Sequence, residues 1–127
     1  MAQMTYDNVK TLFLRITGLD SEDFEYEDLI NSGIDFIQQR LCVQLDEVSA
    51  AKCEYAACAA AVYDYVLESS MRLKVMLSEN GAAYSETAHE KGIAAARKLR
   101  SSAFAALKGL VRDDDFVFMG TGEKFDE

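Results

Sequence analysis

The sequence predicts a mainly α protein, a four-helix bundle-like domain followed by an extended C-terminal arm. Three observations carry this reading. Apolar residues recur at three- and four-residue spacing in successive segments, the mark of amphipathic helices. No proline occurs anywhere in the chain, so nothing in the side-chain chemistry breaks a long helix. Residues 46–71 form an alanine-rich stretch, and alanine is the strongest helix former.

The chain organises around that stretch. Val48, Ala51, Tyr55, Cys58, Ala59, Val62, Tyr63, Val66 and Leu67 fall on one wide face of a helix of about seven turns. Ala and Cys at such positions let neighbouring helices approach closely. Before it come two shorter helices. Thr5 is placed to cap a first helix, Tyr6–Thr17, with Val9, Leu12, Phe13 and Ile16 inward and Gly18 as its stop. An acidic connection follows, in which Phe24 and Tyr26 are expected to pack under the loop. A second helix over about residues 25–42 carries Tyr26, Leu29, Ile30, Gly33, Ile34, Ile37 and Leu41 inward, with Phe36 on a shoulder. Gly33 costs about 1 kcal/mol against Ala in a helix interior, which a close helix crossing would explain.

After the central helix the pattern is ambiguous. Leu73, Val75 and Leu77 alternate before Asn80-Gly81, a hairpin signal, so a small β-hairpin is expected over residues 72–85. A third helix prolonged to Gly81 fits the same residues. Residues 86–112 read as the last helix, with Ile93, Ala96, Leu99, Ala103, Phe104, Leu107, Leu110 and Val111 inward. Its basic residues Lys108 and Arg112 suit a helix C-terminus. One domain over residues 1–112 and an arm over 113–127 follow from this reading. Phe116, Val117, Phe118 and Met119 in the arm are four apolar residues in a row, fit for strand addition or for docking on a neighbouring subunit.

Charge is partitioned along the chain. The net charge of −9 argues against binding nucleic acid through phosphates. Residues 1–68 hold 4 Lys/Arg against 13 Asp/Glu, residues 69–112 hold 8 against 3, and residues 113–127 hold 1 against 6. An acidic region on one subunit could therefore meet the basic region of the next, a heterologous contact that closes into a ring if the rotation allows. The basic candidates are Arg97, Lys98, Arg100, Lys108 and Arg112. The acidic face is Glu22, Asp23, Glu25, Glu27 and Asp28.

Catalytic chemistry finds little to work with. Cys42, Cys53 and Cys58 are an odd number without a secretory pattern and read as buried free thiols. Cys53 and Cys58 point about 140° apart on a helix, so they cannot share one zinc ion. Glu86-Thr87-Ala88-His89 has the spacing of a di-iron ligand pair, but such sites need two copies and His89 is the sole histidine. Ser85, Thr87 and Tyr84 are the hydroxyls nearest to it in the chain. No phosphate loop, dinucleotide turn or nucleophile elbow is present. Tyr55, Tyr63 and Tyr65 read as core and interface with their hydroxyls outward. No enzyme, metal or cofactor is expected. No apolar run is long enough to span a bilayer, and the N-terminus lacks the profile of a signal peptide, so a cytosolic protein is expected.

The order of parts resembles the small helical head–tail connector (adaptor) proteins of long-tailed bacteriophages and prophages. YDNVKTLFLRITGLD looks like that family's first helix and EDLINSGIDFIQQRLC like its second. AAKCEYAACAAAVYDYVLE looks like its Ala-rich third, and HEKGIAAARKLRSSAFAALKGLVRDDDFVFMGT like a fourth helix with a C-terminal arm. The resemblance implies a structural protein that forms a ring beneath the portal, extends the DNA channel and joins head to tail. Its partners would be copies of itself, the portal protein and the next neck or tail-completion protein, with DNA passing through unbound. It would sit in the host cytoplasm during assembly and in the virion neck afterwards. The same residues also admit a helical scaffold or regulatory module that binds one partner through the basic fourth helix.

Overall fold

The computed structural model describes residues 2–22, 24–79 and 86–112, with the backbone alone for residues 75–79 and 86–89. Among the described residues four helices follow one another: α1 Tyr6–Thr17, α2 Glu27–Gln38, α3 Glu47–Glu79 and α4 Glu86–Ala105. The fold is mainly α and bundle-like, and the described residues contain isolated β-bridges but no sheet.

The first helix forms where its caps dictate. Thr5 is extended and its hydroxyl accepts the Asn8 N–H at 3.2 Å. Gly18 takes the left-handed conformation at φ 76° and returns its N–H to the Leu14 carbonyl at 2.9 Å. A second cap comes from far along the chain. The Glu54 carboxylate, only 7 % exposed, accepts from the Thr5 N–H at 2.8 Å and from the Asn8 amide at 3.0 Å. A carboxylate there satisfies the Thr5 backbone N–H, takes the Asn8 side-chain amide as a further donor and meets the positive end of the helix dipole.

The third helix is the axis of the fold. Its 33 residues make a rod of about 50 Å, against about 18 Å for the 12 residues of α1 or α2. α1, α2 and α4 all pack on it, α1 and α2 touch each other, and the backbone of α4 stays apart from both, reaching α2 only through side chains. Partners on several sides bury α3 at Ala50, Cys53, Glu54, Ala56, Ala57, Cys58, Ala59, Ala61 and Val62. The run of Ala and Cys is therefore the condition for helix contacts on several sides at once.

The tightest contact is at Gly33. A Cβ there would lie 2.6 Å from the Ala57 carbonyl oxygen, so the α2 backbone rests directly on α3. Ile30 and Ile37, one turn either side, are fully buried. The expected close crossing is present.

Each end of the body is closed differently. At one end Phe13, fully buried, meets Phe24 and Tyr65 edge-on at 5.8 Å, and Tyr26 meets Tyr65 at 5.1 Å. At the other, Arg40 lies 3.7 Å over the Phe36 ring, which stacks on Phe104 at 5.8 Å and joins α2 to α4. A backbone clasp sits beside that stack. The Cys42 N–H bonds the Leu110 carbonyl at 3.0 Å and the Arg112 N–H bonds the Arg40 carbonyl at 3.1 Å. Leu41 and Val111 face each other between these bonds.

Four expectations are corrected. The hairpin over residues 72–85 does not form across its first half, because α3 continues to Glu79. Residues 72–79 contain strong helix formers, and extending an existing helix costs far less than starting a new element. The last helix ends at Ala105 rather than at residue 112. Bonds from Leu107 N to Phe104 O and from Lys108 N to Ala105 O tighten it, and Gly109 at φ 89° redirects the chain. Lys108 and Arg112 therefore do not serve as C-terminal helix charges. Cys42 is exposed rather than buried, since it lies on the α2–α3 link. Finally, Val48, Ala51 and Tyr55 are exposed, because α3 turns Ala50, Cys53 and Ala57 inward instead.

Two glycines test the crossing. Gly92, also helical, has open space where a Cβ would go. Gly92→Ala should raise unfolding free energy by up to about 1 kcal/mol from helix propensity. Gly33→Ala gains the same propensity but should lower stability by about 1–3 kcal/mol, since backbone must move. Urea denaturation of both variants reads the difference in sign. In the same assay Glu54→Ala should cost about 1–3 kcal/mol through the lost cap, and Glu54→Gln, which keeps an acceptor oxygen, should cost less.

Candidate functional site

The residues singled out by charge lie on separate parts of the molecule. Glu22, Glu25, Glu27 and Asp28 are exposed around the start of α2. Asp23 lies outside the described residues. Arg97 and Lys98 are exposed on α4, and Lys108 and Arg112 are exposed beyond its end. Arg100 differs from the rest, half-buried with its guanidinium 4.0 Å over the Tyr63 ring. It also faces Asp64, whose carboxyl is held above its ordinary range by burial, against the opposing pull of Arg100. Arg112 donates to the Gln39 carbonyl at 3.3 Å and so fixes the clasp. Phe116, Val117, Phe118 and Met119 lie outside the described residues.

The arrangement keeps the two signs of charge apart. The α2 backbone meets α3 at Ala57, whereas Tyr55, beside α4, points about 160° round the helix from it. The acidic start of α2 and the basic face of α4 are thus on different flanks of α3.

An apolar groove was not anticipated. Val48, Ala51 and Tyr55 of α3 face Leu99, Ala103 and Ala106 of α4 across an open volume of about 610 Å³. Glu47, Lys52 and Ser102 supply its polar edge. Val48 is 66 % exposed and Tyr55 40 %. The sequence held the signal in ambiguous form: Val48, Ala51 and Tyr55 are regularly spaced, but so are Ala50, Cys53 and Ala57. The lone acid Glu54 within an Ala/Cys run could have shown which set faces a helix N-terminus.

Among the described residues no three His, Cys, Asp or Glu are placed to hold a metal ion. The His89 side chain lies outside the described residues. Cys53 and Cys58 are buried, and burial pushes the Cys58 thiol up to about 12 and the Cys53 thiol in the same direction. Tyr63 and Tyr65 are half-buried, so of the three tyrosines on α3 only Tyr55 is widely exposed. No helix among the described residues is long and apolar enough to cross a membrane. Comparison with protein-family models, with curated proteins and with solved structures finds no match to this chain.

Thiol chemistry provides a test of this placement. At pH 8 one thiol, Cys42, should react quickly with an aromatic disulfide reagent, and Cys53 and Cys58 should react only after unfolding. The pH dependence follows from the raised thiols. Unfolded chains lose the Cys58 proton near the ordinary 9.0, whereas the folded chain keeps it to about 12. Stability should therefore be intact below pH 9 and fall as pH climbs between those values, and Cys58→Ala should flatten that fall in denaturant titrations.

Proposed function

We propose that this chain is a structural head–tail connector of a long-tailed bacteriophage or prophage. Copies of it would associate head to tail into a ring beneath the portal, extend the DNA channel and offer a platform to the next neck or tail-completion protein. The sequence resemblance suggested this reading, and one structural observation carries it. Acidic and basic surfaces lie on different flanks of α3, with exposed Glu25, Glu27 and Asp28 on one and Arg97 and Lys98 on the other. Opposite charges on different flanks favour a heterologous contact over a self-complementary one, and a heterologous contact repeats until it closes.

The acidic surfaces also suit the passage of DNA. A channel wall of negative charge repels phosphates and lets the duplex slide without being held. The subunit needs no reaction centre for this role. Its place would be the host cytoplasm during assembly and the virion neck afterwards.

A helical scaffold or regulatory module is the second reading, favoured by the groove between α3 and α4. Mass measured by light scattering over rising concentration separates the two. A connector should give a large, discrete oligomer at low salt that dissociates at high salt, since exposed charge contacts are screened within about 8–10 Å. Arg97→Glu with Lys98→Glu should abolish it and leave thermal unfolding unchanged. A salt-insensitive dimer would favour the regulatory module and overturn the ring.

A further inference from the structure

We propose that the groove between α3 and α4 receives the apolar segment Phe116-Val117-Phe118-Met119 of a second copy of this chain. This inference deepens the head-to-tail reading above and rests on its self-association, but on a different contact.

The groove is suited to apolar side chains. Val48, Ala51 and Tyr55 line one wall and Leu99, Ala103 and Ala106 the other, around about 610 Å³ open to solvent. A two-thirds-exposed Val48 beside a 40 % exposed Tyr55 is costly to leave in water at about 25 cal/mol per Å². The chain itself supplies a matching ligand. Fifteen residues follow Arg112, and they contain four consecutive apolar ones, two of them aromatic. Asp113, Asp114 and Asp115 precede these. Lys52 and Glu47 both stand at the groove edge, so an entering segment would set its acidic end beside Lys52 and away from Glu47.

The clasp decides between a chain's own tail and its neighbour's. Residues 110–112 run antiparallel to residues 40–42, from the α3 side of that link towards α2. Arg112 is held there twice, by its N–H to the Arg40 carbonyl and by its guanidinium to the Gln39 carbonyl. The chain is thus aimed away from Val48 and the groove where it leaves the clasp. The three aspartates reach at most about 11 Å when extended, and a return to the same groove would spend that length on a reversal. A neighbour approaching the α2 side meets the segment without one. Groove and tail lie at different places on each copy, so the contact is heterologous and propagates.

The test uses full-length chains with complementary defects. One carries Phe116→Ser and Phe118→Ser with the groove intact. The other carries Val48→Asp and Ala51→Glu with the tail intact. Both groove positions are exposed, so folding should be preserved, and identical thermal unfolding checks this. By analytical ultracentrifugation the wild-type chain should self-associate, and each variant alone should do so at least 10-fold more weakly. An equimolar mixture should associate more tightly than either variant alone, since one good groove and one good tail remain, and with Arg97→Glu and Lys98→Glu added to both chains that complex should be a 1:1 heterodimer. Unchanged self-association of either variant, a mixture that stays monomeric, or a wild-type chain that stays monomeric at all concentrations would overturn the proposal. Loss of association in Arg97→Glu/Lys98→Glu with the heterodimer intact would support groove docking and keep the charge contact as separate. Heterodimer failure with salt-sensitive oligomers intact would reject docking and leave the connector reading standing.

Discussion

The contact between the α2 backbone at Gly33 and the α3 backbone at Ala57 sets the terms for the rest of the fold. With no room for a single Cβ between them, the α2 backbone lies directly on the α3 backbone. That spacing turns Ala57 and its helical neighbours Cys53 and Ala50 towards α2 and fixes the rotation of α3 about its own axis. The same rotation places Glu54 under the start of α1 and carries Tyr65 into the aromatic group around Phe13. It also leaves Val48, Ala51 and Tyr55 without cover from α1 or α2. Core, cap and groove are three results of one rotational setting.

Glu54 makes that setting selective. A buried carboxylate is tolerated only where donors meet it, and here the Thr5 N–H, the Thr5 hydroxyl and the Asn8 amide converge on it. Rotating α3 by one residue would withdraw the carboxylate from all three. An alanine-rich helix has many nearly equivalent ways to bury small side chains, and such degeneracy invites alternative packings. One charged group with a single satisfactory position removes most of them.

Much of this was legible in the residues, and the failures have physical causes. The first helix was readable at both ends because its signals are local: Thr5 bonds three residues ahead and Gly18 alone supplies the left-handed turn. Gly33 was readable because an unfavourable residue in a helix interior needs a reason. The face of α3 was not readable, since alanine lies on every side of it and periodicity carries no phase. The hairpin reading gave weight to a three-residue alternation where helix propagation over a long segment won. The end of α4 was marked by Gly109, but Leu107, Leu110 and Val111 keep helical spacing beyond the true end and point inward by a different route. The groove depends on the separation of two helices distant in sequence, which no local pattern encodes.

The clasp between residues 110–112 and 40–42 has a mechanical consequence. Its two backbone bonds run across the chain direction, and the Arg112 guanidinium adds a third attachment beside them. Tension applied to the C-terminus would load these attachments side by side, in shear, and they would have to yield together. The load would pass into the α2–α3 link and so into the centre of the molecule. α4, which ends before the clasp, would be spared from being unwound turn by turn. Under such a load the last few residues of the described chain would act as a strain relief, of the kind that protects a cable where it enters its housing.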